Sequence, residues 1–292
     1  MLSLAFRVRY LGHADREAIL NRTVTAIMLA AAWTCCAATV RAADDNLYRA
    51  QTIVTGQGEA NRITGFALCL EDVLIKVSGA LRLAGDPRLE HYKAKAGDFV
   101  RAYNYHDQMS GTPKRDEQGT RDRPYDLIVD FDPTKIDDVL ARLGGLKPWP
   151  LPRPRLGVLI EMEQGQRQFI VTSDTKQSDL QRDSLSDAAS KRGMVIVLPS
   201  VAALEKSNVT GAALMTLPPA TLSPVVAGEG ADVVLRGHLT WSDQDLGWIN
   251  EWQMDFRGQS HRWQFRGVTF DEAFRRALGG AAQILSGNGE PV

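Results

Sequence analysis

Cysteine is scarce in this chain of 292 residues: three in all, Cys35, Cys36 and Cys69. That excludes a disulfide-dense scaffold, and no His or Cys pair stands at the spacing of a zinc site. Neither sign of charge is in excess, with 34 Lys+Arg against 35 Asp+Glu. A nucleic-acid binder needs a basic face for the phosphates, so nucleic acid is not expected as a partner. Hydrophobic residues at 44% with charged residues at 24% exclude wholesale disorder.

The one long uncharged apolar run, residues 24–40 (VTAIMLAAAWTCCAATV), falls slightly short of the roughly 20 residues that span a bilayer. Arg16 and Arg22 precede it, and Val40-Arg41-Ala42 offers a cleavage site. This predicts a signal peptide over 1–42, export to the periplasm, and no stable membrane insertion after cleavage; an uncleaved inner-membrane anchor is the lesser alternative. Asp15 and Glu17 are unusual in a leader and suggest that translation begins downstream of Met1. Thr34 stands before Cys35 where a lipoprotein signal needs a smaller residue, so lipidation is not expected. Removing 1–42 takes away five Arg and two acids, leaving 29 bases against 33 acids and Cys69 as the one thiol. No polybasic anchor remains.

The remainder predicts an α+β fold of two small α/β-type domains. Over 43–146 the order is β-α-α-β-β-α. Leu47–Val54 reads as a strand. A helix follows on Ile63, Phe66, Ala67, Leu70, Val73, Leu74 and Val77, and Gly79 stops it. Asp86–Ala96 reads as a shorter helix, 98–105 and 125–131 as strands, and 106–124 as a mobile loop. Asp132-Pro133 caps and opens a helix on Ile136, Val139 and Leu140. Lys147–Pro154, four prolines in eight residues, is a semi-rigid linker in which Trp149 packs across the junction.

Over 155–292, strand Leu156–Met162, a helix around Asp179–Lys191 and strand Met194–Leu198 predict a βαβ unit. Ser200–Pro224 reads as irregular, with at most short helical turns. Three period-2 runs within 231–267 predict an antiparallel meander with one aromatic and one mainly polar face. Thr269 with Glu272 is a capping box that opens a helix over the aromatic face.

Catalytic constellations are wanting. Ser173-Asp174-Thr175-Lys176 spells S-x-x-K but lies in a polar loop without the K-T-G and S-D-N partners. Gly56-Gln57-Gly58 lacks the third glycine of a dinucleotide fingerprint, which would fall at Asn61. The carboxylate pairs Glu71-Asp72 and Asp137-Asp138 diverge around a helix, and Asp132 serves as a cap. No catalytic residue, cofactor or metal is therefore expected. The one candidate docking surface is the polar face of the meander: Arg236, His238, Glu251, Asp255, Arg262 and Arg266. Cross-strand charge pairing is the plain reading of that pattern.

An ordered set of segments resembles a known family: Val73-Leu74-Ile75-Lys76-Val77-Ser78-Gly79, Val129-Asp130-Phe131-Asp132-Pro133, Trp149 with Arg153-Pro154, Arg192-Gly193 ahead of Leu198-Pro199, and Gly230-Ala231-Asp232-Val233-Val234-Leu235-Arg236-Gly237. Together they resemble the uncharacterised bacterial domain of unknown function 2066 across nearly the whole mature chain. The resemblance implies a Gram-negative exported protein and supplies no activity. The expectation is a non-enzymatic binding or adaptor module of the cell envelope, meeting an envelope protein or an anionic ligand. The rivals are a hydrolase with an interdomain active site and a small-ligand carrier.

Overall fold

Apolar Ala50 and Val54 alternate with outward Arg49, Gln51 and Ile53, which makes β1 (Arg49–Thr55) a half-buried strand. It belongs to a computed structural model that describes residues 47–111, 115–116, 119–120 and 123–291. The expected signal segment and part of the polar stretch after residue 111 lie outside these. The first sheet has the order β1, β5 (Pro124–Phe131), β2 (Val100–Asp107), all antiparallel. Strands β3 (Arg115–Asp116) and β4 (Gly119–Thr120) form a separate two-stranded pair.

Helix α1 (Glu59–Ser78) lies on one face of the first sheet, burying Phe66, Leu70, Val73, Leu74 and Val77. Gly65 marks the crossing, for a Cβ there would collide with Leu127 and Val54. Ile63, expected on the buried side, is exposed. It stands two residues before the crossing, turned roughly 200° around the helix from Gly65. Gly79, left-handed at φ 72°, ends the helix and donates its N–H to Ile75 O at 2.7 Å. The helix expected over Asp86–Ala96 is broken: 3-10 turns at Pro87–Leu89 and Ala96–Phe99 flank a four-residue α2 (Glu90–Lys93). In α3 (Pro133–Arg142), the Asp132 carboxylate accepts from the amides of Thr134 and Lys135.

Cys69 is fully buried within α1. Burial, with Asp72 nearby, pushes its thiol up to about 12. With Cys35 and Cys36 changed to Ser, Cys69 is expected to resist a thiol reagent at about pH 8 in the native state and to react once denatured. Fast labelling of the native chain would contradict the burial.

The second sheet has the order β11 (Gln259–Val268), β10 (Gly247–Phe256), β9 (Val233–Ser242), β6 (Leu156–Gln164), β7 (Arg167–Ile170). β6 runs parallel to β9, and β9-β10-β11 is the expected meander. Helices α4 (Asp179–Lys191) and α7 (Phe270–Leu285) cover its aromatic face, closing on Trp248, Trp252, Met254 and Trp263. Thr269 caps α7 by accepting from the Glu272 amide at 3.2 Å. Strand β8 is shorter than expected, Ile196–Val197, and pairs in parallel with Leu156 and Gly157 of β6, whose far end, Glu161–Gln164, pairs with β7.

The largest departure is the segment after Ser200. It contains α5 (Val201–Lys206) and α6 (Pro219–Ala227), and packs Leu204, Leu214, Leu222 and Val226 onto Leu159. Those side chains cover part of the sheet face opposite α4 and α7. Gly157 admits the close approach, since a Cβ there would strike Val226. Among the described residues no helix is long and apolar enough to cross a membrane.

A dense seam joins the two sheets. Trp149 is buried and its backbone N–H donates to Val77 O at 2.8 Å. The Arg153 guanidinium stacks on the Trp149 ring at 4.3 Å. One of its nitrogens donates to Lys76 O and Val77 O at 2.9 and 3.1 Å, the other to Arg192 O and Gly193 O at 2.8 and 3.3 Å. Those carbonyls end α1 and α4, so one cation serves the negative ends of two helices. Burial draws its pKa down to about 10, which leaves it charged at neutral pH. Farther along, the Arg82 amide donates to Gln283 Oε1 at 3.1 Å and Asn288 Nδ2 donates to Ser78 O at 2.8 Å.

Candidate functional site

Alternation along β9, β10 and β11 sends every second side chain to the face away from α7, and the register fixes which of them meet. Arg236 stands opposite Gln253 and Gln253 opposite Arg262; His238 stands opposite Glu251 and Glu251 opposite Gln264. Asp255 stands opposite Ser260. On its other side β9 sets His238 against Glu161 and Thr240 against Glu163. Arg236, His238, Glu251, Asp255 and Arg262 are thus brought to one face. Arg266 lies where the β10-β11 register shifts, and it reaches Asp245 in the β9-β10 turn at 3.6 Å.

That face is divided by the α5–α6 segment. Arg236 is 5% exposed. It donates to the carbonyl oxygens of Leu217 and Met215 and meets Asp255 at 3.5 Å. Burial lowers its pKa and Asp255 partly restores it. Arg236 therefore braces the covering segment from below and is not offered to a partner, contrary to its expected place on an open surface. Its truncation is expected to cost about 2–3 kcal/mol by leaving those acceptors unmatched. Arg262→Ala is expected to stay within about 0.5 kcal/mol. Urea denaturation of both variants checks the contrast; equal losses would contradict it.

His238 occupies the middle of the face. Its Nε2 lies 3.5 Å from Glu163 and 3.8 Å from Glu161. Glu161 is 3% exposed and accepts from Gln168 Nε2. Gly211 passes over it so closely that a Cβ would collide with the carboxylate. The sequence reading missed Glu161, Glu163 and Gln168. The signal was present in β6, where Glu161 and Glu163 alternate with Ile160 and Met162. Among the described residues no group of three His, Cys, Asp or Glu side chains is placed to hold a metal ion.

Beyond the edge of the covering segment the face is open. Met215, Glu251, Gln253, Arg262 and Gln264 line a depression of about 350 Å³. Glu251, Arg262 and Gln264 are exposed, and among the described residues no side-chain hydrogen bond or ion pair engages them. A second depression, about 300 Å³, lies between α6 and the strands, with Asp232, Arg236, Asp255 and Arg257 in its wall.

The remaining chemical groups are committed elsewhere. Ser173 Oγ donates to Pro199 O at 3.4 Å, and the Asp174 carboxylate accepts from the Val201 amide. His106 meets Asp126 at 3.3 Å, His261 meets Glu290 at 2.8 Å, and His91 stacks on Tyr92.

A family model described as Domain of unknown function (DUF8605) matches residues 42–150, which span the first sheet, its helices and the start of the linker. The family is uncharacterised, as the motif resemblance implied, but it is not the domain of unknown function 2066, and the match stops short of the meander. No curated protein and no solved structure matches the chain.

Proposed function

We propose that the chain is a binding module whose docking surface is the open part of the meander, around Glu251, Arg262 and Gln264. The observation that carries this reading is three exposed, unengaged polar side chains in register beside a depression, on a face whose other part is covered. Two features of the scaffold support a non-catalytic role. The seam between the sheets, where the rival hydrolase needs a cleft, is filled by Trp149, Arg153, Gln283 and Asn288. Trp252 and Trp263 border the depression but are both buried, Trp252 edge-to-face on Phe274 of α7, and offer it little ring surface for a carried ligand. The apolar run at 24–40 behind Arg16 and Arg22 supports export, and with it an envelope protein as the partner.

The test is photo-crosslinking in cells from single positions. A crosslinking side chain at Gln264 is expected to give a discrete adduct, while one at Leu180, exposed on α4, gives none. No adduct from 264, or the same adducts from both positions, would overturn the reading.

A further inference from the structure

We propose that the docking partner presents an extended segment of alternating acidic and apolar residues, which adds to the sheet as a strand beside β11. The proposal rests on the binding-module reading and names the chemistry of the ligand.

Three observations carry it. First, among the described residues β11 ends the six-stranded sheet and pairs only with β10. An edge strand leaves alternate N–H and C=O groups pointing outward, a template for one more strand. Its register is continuous from Gln259 to Phe265, room for a seven-residue segment. Second, the strand's own side chains carry charge of one sign, the one acid in contact with them from beyond α7 being Glu290 on His261. Between Phe256 and Val268 stand Arg257, Arg262 and Arg266 and no Asp or Glu. Arg262 lacks a partner, and Arg266 has only the 3.6 Å contact with Asp245. The nearest acids on this face, Glu251 and Asp255, sit one strand further in on β10, and Asp255 is engaged by Arg236. A second copy adding through its own β11 would set like charges against each other, so the complement is an acidic segment. Third, the two faces of the edge differ. Arg262 and Gln264 line the depression, whereas the Trp263 and Phe265 rings belong to the core on the α7 side, where Arg276 stacks over Phe265 at 5.2 Å. An added strand therefore meets Arg262 on one side and, on the other, the half-buried Phe265 ring beneath Arg276.

The probe is a fluorescent decapeptide alternating Glu and Val, read by anisotropy against the full chain. Controls are the same peptide with Lys for Glu and the Glu peptide with a central proline. The proposal expects saturable binding of the Glu–Val peptide and at least about tenfold weaker binding of both controls. It further expects at least about tenfold weakening by Arg262→Glu with Arg266→Glu, both exposed positions, and slowed amide exchange within 259–265 of the bound chain. Equal binding of Lys and Glu peptides, binding without protection of 259–265, or no binding of any peptide would each overturn it. None of these touches the binding-module reading, which falls on its own if position 264 yields no adduct.

Discussion

Trp252→Ala is expected to remove about 4 kcal/mol of folding stability. The indole is almost fully buried in the middle strand of the meander, 6.3 Å from Phe274 of α7 in an edge-to-face contact, and its Nε1 donates to Asn250 Oδ1 at 2.7 Å. No neighbour fills the hole left by truncation without moving α7 or the sheet. For a chain of this size the loss corresponds to roughly 8–16 °C in melting temperature. Gly237 supplies an internal check: it faces Trp252 across the strands, and a Cβ there would enter the ring. Gly237→Ala is therefore expected to cost about 1–3 kcal/mol alone and far less in the Trp252→Ala background. Additive losses in that double-mutant cycle would show that the two do not share one space.

Arg153→Ala is the second large effect, at about 3–4 kcal/mol. The side chain closes four hydrogen bonds to carbonyl oxygens, two from each side of the seam. Its loss also strips the Trp149 ring of its cation. Lysine keeps the charge but cannot reproduce the planar fork, so Arg153→Lys is expected to recover less than half the loss. Lys147→Ala, exposed in the same linker, is expected to change stability by under about 0.5 kcal/mol. Denaturant titration of the three variants decides the point; an Arg153→Ala chain as stable as Lys147→Ala would mean that the seam does not depend on the fork.

These two residues mark what the sequence made legible. Trp252 sits in a run where Trp248, Met254 and Phe256 share its parity, so strand, face and covering helix followed from period-2 alternation and the Thr269 cap. Asp132-Pro133 and Gly79 set helix ends because caps are local. Arg153 is different: its acceptors stand up to 77 residues away in the chain, and nothing in a proline-rich linker points to them. The same holds for Arg236. Alternation placed it on the polar face, but its burial depends on a segment whose apolar residues, Leu204, Leu214, Leu222 and Val226, follow no single period. Their target, Leu159, lies in another element altogether. Gly157 and Gly211 show their purpose only once Val226 and Glu161 stand against them. The candidate site was thus visible as a face, and its division into a braced part and an open part was not.

The open part bears the functional claim, and reversing its charges tests it without disturbing the brace. In a chain carrying Glu251→Lys with Arg262→Glu, both exposed, the melting temperature is expected to stay within about 2 °C of the parent. The adduct from a crosslinking side chain at position 264 is expected to vanish. Retention of that adduct at the parental yield, in a variant that melts normally, would contradict the claim that this face docks the partner.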